Sequence, residues 1–166
     1  MSPKTKLALI FLACAAPFPL GWLAYELGWG GDGRSGSYGE LIAPRPVAGP
    51  LAPLKGKWVL VTFDPAACDS ACEKKLYIVR QVRRALGPDA ERVERLWVLT
   101  DAAKPKPQLV AAIEGTHIAA ARLDFQGDRI YLVDPLGNLM MRFPSNPDPS
   151  LIIKDLRRLM KYSGFG

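Results

Sequence analysis

The chain has 166 residues, is 49% hydrophobic and carries 22 Lys and Arg against 16 Asp and Glu, a net charge of +6. That length and apolar content support one packed domain of ordinary size and exclude a disordered chain. The positive charge is spread along the sequence rather than gathered into a basic block, and no nucleic-acid motif is present, so the excess points to solvated faces, an acidic partner or nearby anionic lipid.

From Leu7 to Tyr25 there is no charged residue; Lys4 and Lys6 precede the run, and Trp22, Tyr25 and Trp29 close it. Such a stretch is long enough to span a bilayer, with the lysines favouring a cytoplasmic N-terminus and the aromatics suiting the far interface. Pro17 and Pro19 weaken it as a straight helix, although membrane helices tolerate proline better than soluble ones. The preferred reading is an uncleaved anchor, because the apolar run exceeds the roughly 7 to 15 residues of a signal-peptide core. A cleaved signal with Ala13-Cys14-Ala15 as its site and a lipid-modified Cys14 are the alternatives. All three put the remainder outside the cytoplasm.

Residues 1–29 are therefore assigned to the anchor and residues 30–53 to a glycine- and proline-rich tether and lead-in. Within the lead-in, Tyr38 to Ile42 is a short candidate edge strand, and prolines at 44, 46, 50 and 53 are expected to keep it short. The folded domain spans residues 54–166. It opens on Trp58-Val59-Leu60-Val61-Thr62-Phe63, a run of strand-forming residues ended by Asp64-Pro65 and so read as a central strand.

After that strand, Ala71, Cys72, Leu76, Ile78, Val79, Val82, Ala85 and Leu86 fall largely on one side of a 3.6-residue helix, with Glu73, Arg80 and Arg84 away from it. Lys74, Lys75 and Arg83 are expected to be solvated, with Lys75 close enough to the first turn to help hold a thiolate. Gly87-Pro88 ends the helix. Val93 to Thr100 is the next strand, parallel to the first across a right-handed crossover. The loop from Asp101 to Pro107 then lies at the carboxyl edge of the sheet, where open α/β sheets bind ligands. Gln108 to Glu114 is a short helix, and Ile118 to Phe125 is ambiguous between helix and strand. A hairpin follows from Arg129 to Phe143 around Asp134-Pro135-Leu136-Gly137-Asn138. Last comes a helix capped by Asp148 with Pro149 at its first position.

Two thiols at a strand-to-helix turn are the most informative chemistry. Cys72 sits in the first turn of its helix and Cys68 just before it, where unsatisfied N–H groups and the helix dipole favour the thiolate. Three cysteines and one histidine, with Cys14 far from the other pair, do not make a closed four-ligand zinc site.

The order β-α-β-α-β-β-α, with a cysteine pair after the first core strand, resembles the thioredoxin fold: a central mixed sheet flanked by helices, here preceded by one N-terminal transmembrane helix. In detail the chain resembles the Sco/SenC family of membrane-anchored, thioredoxin-like proteins that assemble the copper site of cytochrome c oxidase. The matching pieces are the anchor and tether, Gly56 to Phe63, the Cys-x-x-x-Cys of Cys68 and Cys72, Leu99-Thr100-Asp101, and Tyr131-Leu132-Val133-Asp134-Pro135-Leu136-Gly137 before the last helix. Two departures stand out. Family members carry a histidine a few residues before the Tyr-Leu strand as third copper ligand, and Leu123 to Asp128 offers none; Glu73 also stands where a proline commonly follows the pair. His117, the only histidine, lies more than ten residues upstream of Tyr131.

The resemblance implies an inner-membrane protein, N-terminus inside, with its soluble domain in the periplasm and the copper-bearing oxidase subunit as partner. Cys68 and Cys72 are the expected working residues, with Cu(I) as possible cargo because thiolates suit a soft cation of low coordination number. His117 is the candidate third ligand, and Met140 or Met141 a possible thioether partner, of which at most one can contribute from a single strand face. Three roles remain open: a Cu(I) chaperone, a thiol–disulfide oxidoreductase attacking through Cys68 and resolving through Cys72, and a non-catalytic scaffold docking on an oxidase subunit. Within the pair, a disulfide requires Cys68 to lie in the non-helical turn, since residues four apart in a regular helix are too far separated.

Overall fold

A computed structural model describes residues 2–27, 36–47, 49–121 and 128–164. The chain forms two compact units, residues 1–37 and 38–166. In the first, helix α1 (Pro3–Ala15) is capped by Ser2, whose hydroxyl accepts from the Thr5 amide, and helix α2 (Pro17–Glu26) follows directly. The interruption at Ala16 has a local cause: Pro17 and Pro19 each lack an amide hydrogen for the helical ladder. Pro3–Ala24, with a mean hydropathy of 2.0, is long and apolar enough to cross a membrane. Trp29, the glycine-rich stretch from Gly30 to Ser35, and Arg122 to Phe125 of the ambiguous segment lie outside the described residues.

The second unit is built on one mixed sheet. Its strands are β1 (Glu40–Pro46), β2 (Trp58–Asp64), β3 (Val93–Leu99), β4 (His117–Ala120), β5 (Ile130–Val133) and β6 (Asn138–Phe143), in the spatial order β1-β6-β5-β2-β3-β4. β2 runs parallel to β3 and antiparallel to β5, and every one of its residues is buried. A strand covered on both faces reads as a continuous apolar run, which is why Trp58 to Phe63 shows no alternation. Helix α3 (Ser70–Ala85) is the crossover from β2 to β3, α4 (Pro107–Ala112) leads from β3 towards β4, and α5 (Pro149–Tyr162) closes the chain.

Side chains alternate across the sheet and form two main cores. On one face Leu60, Ile130, Leu132 and Met141 pack with Val79 and Val82 of α3 and Leu156 and Met160 of α5. On the other, Val59, Val61, Phe63, Tyr131 and Val133 pack beneath Leu51 and Leu54, with the Phe63 and Tyr131 rings edge to face. The hairpin turn is tied as its sequence requires. The Asn138 amide donates to the Asp134 carboxylate at 2.7 Å, and Gly137 takes φ of +90°, a conformation that disfavours a Cβ.

β1 departs from expectation. It continues through Pro44 to Pro46 instead of ending near Ile42. The prolines are tolerated because β1 is an edge strand paired only with β6, and its register shifts between Leu41 and Arg45 so that Pro44 falls in the irregular part. Of the ambiguous segment, Ile118 to Ala120 is strand, the last three residues of β4, drawn into the sheet beside β3. Ala71 and Ala85, assigned to the buried side of the cysteine helix, are exposed at its two ends.

The start of this unit is held by backbone contacts. The Gly39 amide donates to the buried Asp155 carboxylate of α5 at 2.8 Å, the Asp148 amide donates to the Tyr38 hydroxyl, and the Tyr38 ring stacks on Phe143. A Cβ at Gly39 would run into the Met141 thioether and the Phe143 ring. Gly39→Ala is therefore expected to lower unfolding free energy by about 1–3 kcal/mol in urea denaturation, through overpacking; an unchanged midpoint would show that this contact is loose.

A thiol site at the start of helix α3

The site begins where β2 runs out. Asp64 is its last residue, and its backbone carbonyl accepts from the Trp97 indole at 3.2 Å and from the Thr100 amide at 3.3 Å, locking the end of β2 to the end of β3. The chain turns at Pro65, whose carbonyl accepts from the Cys68 amide at 3.0 Å. The Ala66 amide donates to the Asp101 carboxylate at 3.0 Å, so the loop after β3 holds the turn from the other side. Asp69 then caps α3, accepting from the Cys72 amide at 2.9 Å and leaving Cys72 in the first turn.

This turn brings the two cysteines together. Cys68 lies outside the helix, its Cα 5.3 Å from that of Cys72, and the two form a disulfide. The condition that Cys68 occupy the non-helical turn is met by Pro65 and the Asp69 cap. The bond sits in a small third core of Ala66, Leu76, Trp97, Leu99 and Ile113. Both residues are buried, Cys68 6% exposed and Cys72 1%.

A buried ion pair ties the first turns of α3 to the end of β2. Lys75, three residues and so about one helical turn beyond Cys72, reaches Asp64 at 2.7 Å from Nζ to Oδ1. Lys75 was expected on the solvated side; instead it is 4% exposed, and Asp64 is 8% exposed. Its position explains the difference: Lys75 falls on the inward stripe with Cys72, Leu76 and Val79, and faces the only carboxylate on β2. The other oxygen, Asp64 Oδ2, is buried with no hydrogen-bond partner. Burial pushes the Asp64 carboxyl above its ordinary value, a shift opposed but not cancelled by Lys75. From the sequence alone Asp64 reads as a strand terminator. The available signal was a lone carboxylate closing an apolar strand, facing a lysine at helical spacing from Cys72.

The remaining candidates stand elsewhere. His117 opens β4 opposite Leu96, about half exposed, with Nε2 3.6 Å from Glu94. Its strand neighbour Ile118 packs with the disulfide's core while Ala119 packs on the opposite face, so His117 points away from the α3 side of the sheet. The structure therefore does not bring it to the cysteines. Met141 is sealed in the main core, Met140 is partly buried against it, and Cys14 is exposed on α1. Among the described residues, no three His, Cys, Asp or Glu side chains are grouped as a metal site.

Residues 58–163 match the family described as the transmembrane-like, thioredoxin-like, C-terminal domain, and the chain belongs to that family. The mixed sheet with its helices is a thioredoxin-like fold, similar to that of solved Sco proteins. Apo Sco1 from Thermus thermophilus superposes with a TM-score of 0.60 at 18% identity, covering 77% of this chain and 99% of its own. Copper-bound yeast Sco1 gives 0.53 at 15%, covering 76% and 90%. BsSco, described as a member of the Sco family of cytochrome c oxidase assembly proteins with a disulfide switch, gives 0.52 at 16%, covering 76% and 96%. A comparison with curated proteins finds no match.

The raised Asp64 pKa has a sign that can be tested. Between the unfolded value of 3.8 and the higher folded value, the native state binds more protons than the unfolded state, so this group's contribution falls as pH rises through that window. Asp64→Asn should remove that slope from the pH dependence of urea unfolding. At pH 7 it should cost about 3 kcal/mol, because the Lys75 ammonium stays buried without its carboxylate. An identical pH slope in the variant would show that Asp64 titrates normally.

Proposed function

We propose that this is a membrane-anchored factor that serves the copper site of cytochrome c oxidase by thiol–disulfide exchange on the recipient subunit's cysteines. The observation that carries it is the Cys68–Cys72 bond at the start of α3, with Cys68 the more exposed of the two residues. The oxidase role rests on the Sco likeness in fold and on the motifs that resemble that family. The anchor rests on the apolar segment Pro3–Ala24, which together with the disulfide favours a periplasmic domain.

In the reduced protein the Cys68 thiolate attacks one sulfur of a recipient disulfide, and the other recipient sulfur leaves as a thiolate. The Cys72 thiolate then attacks Cys68 Sγ, re-forming the internal disulfide and releasing the second recipient thiol. Two electrons and two protons pass to the recipient, and a dithiol reductant must restore the pair. The helix N-terminus supports both thiolates, and the Asp69 cap fixes the Cys72 amide.

A second reading keeps Cu(I) as cargo, since two thiolates at one helix start suit a soft, low-coordinate cation. With His117 turned across the sheet, a further ligand would come from water or from the recipient. A non-catalytic scaffold would need neither thiol.

The deciding experiment mixes the reduced protein with a peptide carrying an intramolecular disulfide. Cys72→Ser should accumulate a mixed disulfide through Cys68, and Cys68→Ser should not. If neither variant is trapped, while Cu(I) competition shows tight one-to-one binding lost in both serine variants, the chaperone reading replaces exchange. In that titration His117→Ala should leave any Cu(I) affinity unchanged.

A further inference from the structure

Helix α5 carries a feature that the thiol chemistry does not use. Its inward stripe of Ile152, Leu156 and Met160 is buried, while Lys154, Arg157, Arg158 and Lys161 are exposed. These four cations recur at i, i+3, i+4 and i+7 and so share one face of the helix. Among the described residues none of them is paired with a carboxylate. The one acid within the helix, Asp155, is turned inward to the Gly39 amide, and Asp148 caps the far end. The outer face thus has a single sign of charge, with the exposed Tyr162 ring beneath the Lys161 ammonium at its end.

Two further observations indicate what this face meets. Gly39 and Tyr38, the first residues of the folded unit, are fastened to α5 and its capping residue, so the link from the N-terminal segment reaches the domain at this helix. That link, residues 28–37, spans about 35 Å at most when fully extended, so an anchored N-terminus keeps the domain close to the bilayer. In addition, Arg157 donates to the carbonyl of Ala85, the last residue of α3. The cationic face therefore lies beside the end of α3 opposite the disulfide, and about 20 Å of helix separates Cys72 from Ala85.

We infer that the Lys154, Arg157, Arg158 and Lys161 face of α5 docks the domain on an anionic lipid surface, holding the Cys68–Cys72 edge away from the membrane. The inference rests on the anchor reading. Charge complementarity supplies the attraction, and the short link supplies a high local concentration of lipid. An acidic protein subunit would match the charge equally well. The lipid surface is favoured because the link joins the domain at this same helix.

The test places the full chain in nanodiscs of phosphatidylcholine alone or with phosphatidylglycerol, and measures lysine modification by an amine reagent, residue by residue. Lys154 and Lys161 should react at least about threefold more slowly in the anionic discs, and salt near 0.5 M should abolish the difference by screening. Lys74, Lys104 and Lys106, exposed on α3 and on the loop after β3, serve as controls and should react alike in both. Arg158→Glu, which leaves the Arg157–Ala85 hydrogen bond in place, should restore Lys154 and Lys161 reactivity. Equal reactivity in both disc types, or protection of the control lysines as well, would overturn the inference. Flotation with pure phosphatidylcholine vesicles at high salt tests the anchor separately. A chain lost from those vesicles yet protected at Lys154 and Lys161 by anionic vesicles would sink the anchor reading and leave the docking face standing.

Discussion

The Asp64–Lys75 ion pair sets the geometry on which the thiol site depends. It joins the last residue of the central strand to the first turns of α3 inside the core, where breaking a charge pair is far costlier than at the surface. With Lys75 held there, α3 has one rotation that also buries Leu76 and Val79, and that rotation delivers Cys72 to the turn occupied by Cys68. The Asp64 carbonyl, accepting from Trp97 and Thr100, ties the same point to β3. Strand, helix and loop thus meet at one residue, and the disulfide lies beside that junction.

A short-loop disulfide needs a scaffold of this kind more than the scaffold needs the disulfide. In the chain-entropy picture a bond between residues four apart restrains little of the unfolded chain. Around it, however, Trp97, Leu99, Ile113 and the Asp101 contact to Ala66 form a fitted wall. That wall places two sulfurs at a helix N-terminus, which supports the proposed exchange. The turn of His117 towards Glu94, on the sheet face away from α3, leaves the two thiols as the chemistry of this edge.

Much of this was legible in the residue order. The unbroken apolar run of β2, the Asp-Pro turn, the amphipathic α3, the Asp134–Gly137 hairpin and the Asp148-Pro149 cap each follow local rules that the folded chain obeys. What the residue order leaves open is decided by tertiary partners. β1 runs past its prolines because it has a neighbour on one side only. Lys75 is buried because a carboxylate waits behind it, and lysine alone gives no sign of that. The position of His117 depends on which face β4 presents beside β3, a matter of register.

Under the proposed function the Cys68–Cys72 pair cycles between thiol and disulfide instead of serving as a fixed staple. Its most direct measure is the reduction potential, obtained by equilibrating the protein in graded thiol–disulfide buffers and counting free thiols by mass after alkylation. A working exchange pair should titrate at a potential less negative than about −300 mV, whereas a value below about −300 mV, the range of structural disulfides, would mark the bond as a staple and rule out cycling.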